Sequence, residues 1–141
     1  MDSDYEKNKS VWKKIYSKGQ KNKYPWDRVV SFIYNLKIKD IDRKQIKILE
    51  VGCGTGSNLW FASREGFNVT GIDFSSEAIF QAKKLLDQDG LKYNLIVCDF
   101  IDLPFEDESF DVVIDRASLT CVNFSLAKKS VNEIRRVLKN K

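Results

Sequence analysis

A run of apolar and β-branched residues, Ile46-Lys47-Ile48-Leu49-Glu50-Val51, leads directly into Gly52-Cys53-Gly54-Thr55-Gly56. The apolar pattern then changes period from two to nearly four through Leu59, Ala62 and Glu65. Strand, glycine loop and helix in that order leave few folds open, because a strand apolar on both faces must be covered on both. The unit repeats. Gly66 ends the first helix, residues 67–72 read as a second strand, and Ser75 or Ser76 can cap a helix to about residue 87 that packs Ile79, Ala82 and Leu86. Asp89-Gly90 marks a turn, residues 93–97 a third strand and residues 110–115 a fourth. In the fourth, Val112-Val113-Ile114 has the two-sided apolar character of a buried parallel strand; a last helix carries Val131, Ile134, Val137 and Leu138. The expected fold class is therefore α/β: a Rossmann-like three-layer α/β/α sandwich on a parallel sheet of about four strands.

Ahead of this unit lies an extension, residues 1–44, and residues 45–141 form the domain proper. About residues 4–18 read as an amphipathic helix through Tyr5, Asn8, Val11, Trp12, Ile15 and Tyr16, with Gly19 as its stop. Tyr24-Pro25-Trp26 opens a second helix with Val29, Val30, Ile33 and Leu36 on one face, running to about Lys37. The polar stretch 39–44 links the two parts. With 141 residues, 43% hydrophobic and 31% charged, the chain has the composition of one globular domain rather than of a disordered or fibrous segment.

Composition also excludes chemistry. There is no histidine, and Cys53, Cys98 and Cys121 are odd in number and widely spaced, so neither a disulfide framework nor a Cys/His zinc site is expected. Mechanisms that need an imidazole base are excluded with it. No apolar run approaches the roughly 18 residues needed to span a bilayer, and the polar, acidic N-terminus is no secretion signal, so a cytoplasmic protein with no membrane partner is expected. Residues 1–25 carry seven lysines against three acids, residues 126–141 six basic residues against one acid, and the middle is acidic beneath a total of +4. Nothing clusters into an arginine/aromatic pattern, so solvated helix faces are favoured over a nucleic-acid surface.

In such sheets ligands bind beyond the carboxyl ends of the strands. The glycine loop after the first strand brings backbone N–H groups close to a ligand. Asp73 ends the second strand twenty-one residues after Gly52, near the ~20-residue interval at which an acid reaches a ribose hydroxyl pair, and it reads otherwise as a helix-start acid beside the Ser75 cap. Asp99-Phe100 ends the third strand and could accept from an exocyclic amine and stack a purine. Ser57 stands where the dinucleotide fingerprint wants its third glycine, and no lysine follows Gly56 as a phosphate-binding loop requires. Glu50 at the loop entrance would repel a phosphate and attract a cation.

These segments resemble those of the class I S-adenosylmethionine-dependent methyltransferases of the methyltransferase type 11 kind. Ile48-Leu49-Glu50-Val51-Gly52-Cys53-Gly54-Thr55-Gly56 is similar to the family's first motif and Val69-Thr70-Gly71-Ile72-Asp73-Phe74-Ser75 to its second-strand acidic motif. Asp99-Phe100, Leu103-Pro104-Phe105, Ser109-Phe110-Asp111-Val112-Val113-Ile114 and Glu133-Ile134-Arg135-Arg136-Val137-Leu138-Lys139 follow in the family's order. The resemblance implies that Gly52, Cys53, Gly54 and Gly56, with Glu50 behind them and Asn58 at the helix start, hold the methionine part of S-adenosylmethionine. It implies that Asp73 takes the ribose hydroxyls, Phe74 and Ser75 one side of the adenine, and Asp99 with Phe100 the adenine amine and ring edge. Asp115, Arg116 and Ala117 would face the methyl group and the acceptor, with Asp115 and Tyr24 as candidate positioning residues in catalysis. Asp115 reads alternatively as a strand-end carboxylate paired with Arg116, and Trp12, Tyr16, Tyr24 and Trp26 either cap the cofactor or only fix the extension to the sheet.

The implied reaction is in-line transfer of the sulfonium methyl to a small-molecule acceptor, leaving S-adenosylhomocysteine. The family's seven-stranded sheet would continue after residues 135–139, whereas this sequence stops at Asn140-Lys141. A C-terminally truncated domain is therefore expected, with its fourth strand an apolar edge for a second copy or a partner chain to cover. Two other readings stay open. A nicotinamide-dependent oxidoreductase rests on the glycine loop and Asp73 and is opposed by Ser57; a non-catalytic partner or binding subunit rests on the truncation and the basic ends.

Overall fold

A computed structural model describes residues 3–36 and 41–140. The elements in chain order are α1 (Ser3–Ser17), α2 (Asp27–Tyr34), a 3-10 turn at Arg43–Gln45, β1 (Lys47–Val51), α3 (Ser57–Arg64), β2 (Asn68–Asp73), α4 (Ser76–Gln88), β3 (Asn94–Val97), β4 (Val112–Asp115), a second 3-10 turn at Leu119–Cys121, and α5 (Phe124–Val137). The four strands are all parallel in the order β3-β2-β1-β4. The chain winds outward from β1 in one direction to β3 and then returns to β4 on the other side. Strand order thus reverses beside β1, and a crevice opens at its carboxyl end.

β1 shows why the layers form. Ile48, Leu49 and Val51 are fully buried and Glu50 is 2% exposed, so neither face of the strand sees solvent. Ile48 packs in one core with Leu59 and Ala62 of α3, Val29 and Ile33 of α2, Val69 and Ile114. Leu49 and Val51 point the other way, into a core with Ile72, Phe100, Leu103, Phe110 and Val137 of α5. Three layers result, as the sequence leads one to expect. Ser75 caps α4 by accepting from the Ala78 N–H, and α4 buries Ala78, Ala82 and Leu86.

Several expected details are corrected. α2 is shorter than its apolar spacing suggests: Asn35 caps it by donating its N–H to Ile33 and Ser31, so Leu36 lies beyond the helix. Pro25 also lies outside, ahead of the capping residue Trp26. The expected helix end at Lys37, the start of the linker at Lys39, and the terminal Met1, Asp2 and Lys141 fall outside the described residues. On α1, Val11 is half exposed, since the buried stripe runs through Tyr5, Asn8 and Trp12 instead. On α5, Val131 is 50% exposed, because the inward stripe is Ser130, Ile134 and Val137 and Val131 stands a quarter-turn off it. Ser130 satisfies its buried hydroxyl on the Leu126 carbonyl at 2.9 Å.

β4 is an edge strand among the described residues, as expected, yet the edge is not wholly bare. Phe110 lies outside β4 and bridges Leu138 in parallel, giving its N–H to Val137 and accepting from Lys139, both at 2.9 Å. The loop before β4 is clamped to α5 by Arg136, which donates to the carbonyls of Leu103 and Phe105 and to Asp107 and Glu133. Those contacts hold the Glu133 carboxyl down at about 2, mainly through Arg136. Of the acidic run 106–108, Asp107 is thereby tied to α5 while all three residues stay exposed.

One glycine is dictated by packing alone. A Cβ on Gly71, in mid-β2, would meet Leu59 Cδ1 at 2.3 Å and Cys53 Sγ at 2.9 Å. Gly71→Ala is expected to destabilise the fold by about 1–3 kcal/mol, read as a lower urea midpoint at unchanged slope.

Candidate functional site

The crevice at the carboxyl ends of β1, β2 and β4 is a cavity of about 430 Å³. Its floor is the glycine loop. Gly52, Cys53 and Gly54 line it together with Glu50, Asn58, Asp73, Phe74 and Phe100. Gly54 has φ +53, and a Cβ there would stand 3.0 Å from the Tyr16 hydroxyl, so the loop presents bare backbone to the cavity. Gly56 and Ser75 do not line it; they terminate the loop and cap α4, each supporting the floor from behind.

Glu50 is the group that this structure leaves unbalanced. Its Oε1 accepts from Asn58 Nδ2 at 2.7 Å, while Oε2 is buried with no partner. Burial raises its pKa to about 8, opposed by the Asn58 hydrogen bond and reinforced by Asp115 and Asp73. Asn58 is held in its turn by the Trp26 N–H, which donates to Oδ1 at 2.9 Å, and the Asn22 N–H reaches Thr55 Oγ1 at 3.2 Å. The segment ahead of α2 is thus hung on the start of α3.

Asp73, 4% exposed, accepts from the Gly54 N–H through Oδ2 and the Ser75 N–H through Oδ1, both at 2.9 Å. Burial raises its pKa against those two bonds. A carboxylate has about four acceptor positions, so one on each oxygen remains. Asp99 does not line the cavity. Tyr5 Oη lies 2.6 Å from both its oxygens, Lys9 Nζ 2.7 Å from Oδ2, and the Ile101 N–H 3.2 Å from Oδ1. Burial pushes the Cys53 thiol well above its ordinary value, the wrong direction for a nucleophile.

At the other end, Asp115 faces a second depression of about 560 Å³ that shares Trp26, Arg116, Ala117 and Thr120 with the first. It accepts from the N–H groups of Ser118 and Leu119 rather than pairing with Arg116, whose guanidinium stacks 3.2 Å from the Trp26 ring centre. Tyr24 is not brought into either space. It is 70% exposed beside Lys23, and past Pro25 it is Trp26, 39% exposed, that lines both spaces instead.

α1 lies across the cavity and contributes Tyr5, Asn8 and Lys9, which the sequence reading did not assign to a ligand, beside Trp12 and Tyr16, expected either to cap the cofactor or to fix the extension. Tyr5, Asn8, Lys9, Trp12 and Tyr16 all line the space, and Trp12 stacks on Tyr16. Burial and the nearby Asp73 push the Tyr16 phenol above its usual range. Asn8 donates to the Cys121 carbonyl, and Gln81 to the Tyr16 carbonyl at 2.9 Å. The signal was the i, i+4, i+7, i+11 spacing of residues 5, 9, 12 and 16, in which Lys9 sits among aromatics.

A doubly wound sheet with a bare glycine loop, Asp73 at the end of β2, two phenylalanines and the orphaned buried carboxylate of Glu50 makes a cavity suited to a nucleoside that carries positive charge. Comparison agrees. A family model described as a methyltransferase domain matches residues 48–141, and the chain belongs to that S-adenosylmethionine-dependent family. It is 35% identical over 92 residues to an uncharacterized methyltransferase, YodH, of Bacillus subtilis, covering 65% of this chain and 38% of that protein. A solved S-adenosylmethionine-dependent methyltransferase of Methanosarcina mazei superposes with a TM-score of 0.67 at 30% identity, over 82% of this chain and 54% of the other. Magnesium protoporphyrin IX methyltransferase of Synechocystis, solved with S-adenosylmethionine bound, shares the fold at a TM-score of 0.75 and 17% identity, over 98% of this chain and 73% of that one. The chain spans less than half the length of the curated relatives it matches. Neither the family nor these relatives support the nicotinamide alternative. Among the described residues, no helix is long and apolar enough to cross a membrane.

Glu50 makes a measurable claim on stability. Its native pKa of about 8 lies above the ordinary 4.5, so the native state keeps a proton that the unfolded chain loses. Stability therefore falls as pH rises from about 4.5 to about 8, and it is restored below that window. Glu50→Gln removes this term: the variant should unfold at a higher temperature than wild type at pH 9, and the gap should close by pH 4. Parallel melting curves across pH check it.

Proposed function

We propose that this chain is the cofactor-binding part of a methyltransferase that binds S-adenosylmethionine in the 430 Å³ cavity and methylates a small-molecule acceptor entering beside Trp26 and Arg116. The observation that carries the reading is the buried, unpartnered Oε2 of Glu50 at the cavity floor. Leaving a buried acceptor unmade costs on the order of 1–3 kcal/mol, and a cationic ligand supplies what Oε2 lacks. The glycine loop carries no lysine and is bordered by Glu50 and Asp73, which suits a cationic group there better than a phosphate.

When bound, the cofactor supplies a methyl group already activated by a positive sulfur. The protein's own task is placement. Glu50 holds a cation, and Asn58, fixed by the Trp26 N–H, keeps the Glu50 carboxylate turned toward the loop. Asp73 offers its two remaining acceptor positions to vicinal hydroxyls, while its other two lock the loop and the α4 cap together. Phe74 and Phe100 flank a flat ring, and Trp12, Tyr16 and Trp26 exclude water from the opposite wall. Holding two reactants in line can be worth ~7–11 kcal/mol without any proton transfer by the protein, which suits a chain without histidine. The second depression, which shares Trp26, Arg116, Ala117 and Thr120 with the cavity, supports acceptor entry there.

Calorimetric titration with S-adenosylhomocysteine tests the reading. One saturable site is expected, lost or weakened at least tenfold in Asp73→Ala. Because the ligand's ammonium favours ionised Glu50, binding near pH 7 should release a proton, seen as an enthalpy that changes with the buffer's ionisation heat. Glu50→Gln should abolish that release. A folded chain that takes up no ligand overturns the proposal.

A further inference from the structure

The adenine end of the cavity is already taken, by this chain's own first helix. Tyr5 and Lys9 reach Asp99 across ninety-four and ninety residues, the phenol 2.6 Å from both oxygens and the ammonium 2.7 Å from one. With the Ile101 N–H, three of the carboxylate's four or so acceptor positions are engaged. Asp99 is absent from the cavity wall while Tyr5 and Lys9 form part of it, so the two donors stand between the carboxylate and the cavity. The Lys9 ammonium also lies 4.5 Å from the Tyr5 ring centre and 5.9 Å from that of Phe74, in the space over the ring on which a flat base would stack. These contacts are not a loose surface pair: Tyr5 is 7% exposed, and the Lys9 and Asp99 side chains are only 21% and 20% exposed.

We propose that Tyr5 and Lys9 set cofactor affinity by competing with the cofactor's ring amine for Asp99, so that the first two turns of α1 form a latch that must yield when ligand enters. The far end of α1 has its own anchor, Gln81 on the Tyr16 carbonyl. Lifting the N-terminal turns also releases Asn8 from the Cys121 carbonyl, while the C-terminal turns stay docked. Ligand affinity is reduced by whatever free energy the latch contributes, and weakening the latch returns it. The inference rests on the reading above, in which Asp99 and Phe74 receive the adenine.

The test uses the full chain and two substitutions that keep the shape of the helix, Lys9→Met and Tyr5→Phe, titrated with S-adenosylhomocysteine beside wild type. Each variant should bind about three- to tenfold tighter, since each removes one competitor of modest strength. In wild type, hydrogen exchange of the backbone amides of residues 5–10 should quicken when ligand is added. That second readout needs no substitution and holds even if a variant fails to fold. Unchanged or weaker binding in both variants, or protection of residues 5–10 by ligand, overturns the latch while wild-type binding leaves the cofactor reading standing. Absence of binding in all three proteins overturns the cofactor reading and the latch together.

Discussion

β1 is paired on both edges, with β2 on one side and β4 on the other, and both of its faces are covered. Its backbone polar groups are spent within the sheet, so the only part of it that can meet a ligand is the point where it stops. There the two neighbouring crossovers depart in opposite directions, and the end is left open for α1 to lie across. The cavity follows from this winding before any side chain is considered. The side chains then refine it: the loop must turn away at once, and α3 must begin close enough for Asn58 to reach back to Glu50.

Placing a carboxylate at Glu50, the next-to-last residue of β1 and 2% exposed, sets folding against binding. An apolar residue there would close the core without a deficit, and the strand's pairing would be unaffected. The carboxylate instead leaves an unfilled acceptor at the cavity floor, and a residue eight positions later is committed to holding it in place. Asn58 cannot turn its amide over without losing both of its bonds, to Glu50 and to the Trp26 backbone. The segment at Trp26 and the carboxylate at the cavity floor are thus joined through a single side chain.

Much of this was legible in the sequence because it depends on neighbours. The strand, loop and helix at 46–64 announce themselves through β-branched residues, glycines and a change of period, and Ser75 announced its cap. Helix phase was less legible: Val11 and Val131 are apolar yet lie a fraction of a turn from the buried stripes, where Asn8 and Ser130 sit inward because each finds a carbonyl to bond. Tyr24 could not be separated from Trp26, since irregular chain on either side of a proline has no period to say which aromatic turns in. The engagement of Asp99 by α1 was hidden for a different reason, because nothing local to either segment encodes a pairing across ninety-four residues.

That separation gives α1 an unusual history in time. During synthesis it leaves the ribosome before Gln81, Asp99 and the Cys121 carbonyl, which later hold it and emerge some 65 to 113 residues afterwards. At ~5–20 residues per second, its aromatic stripe waits on the order of 5–20 seconds with no surface to dock against. An element made before all of these partners is among the last that can be placed, and the nascent chain must carry Tyr5, Trp12 and Tyr16 uncovered until the sheet exists.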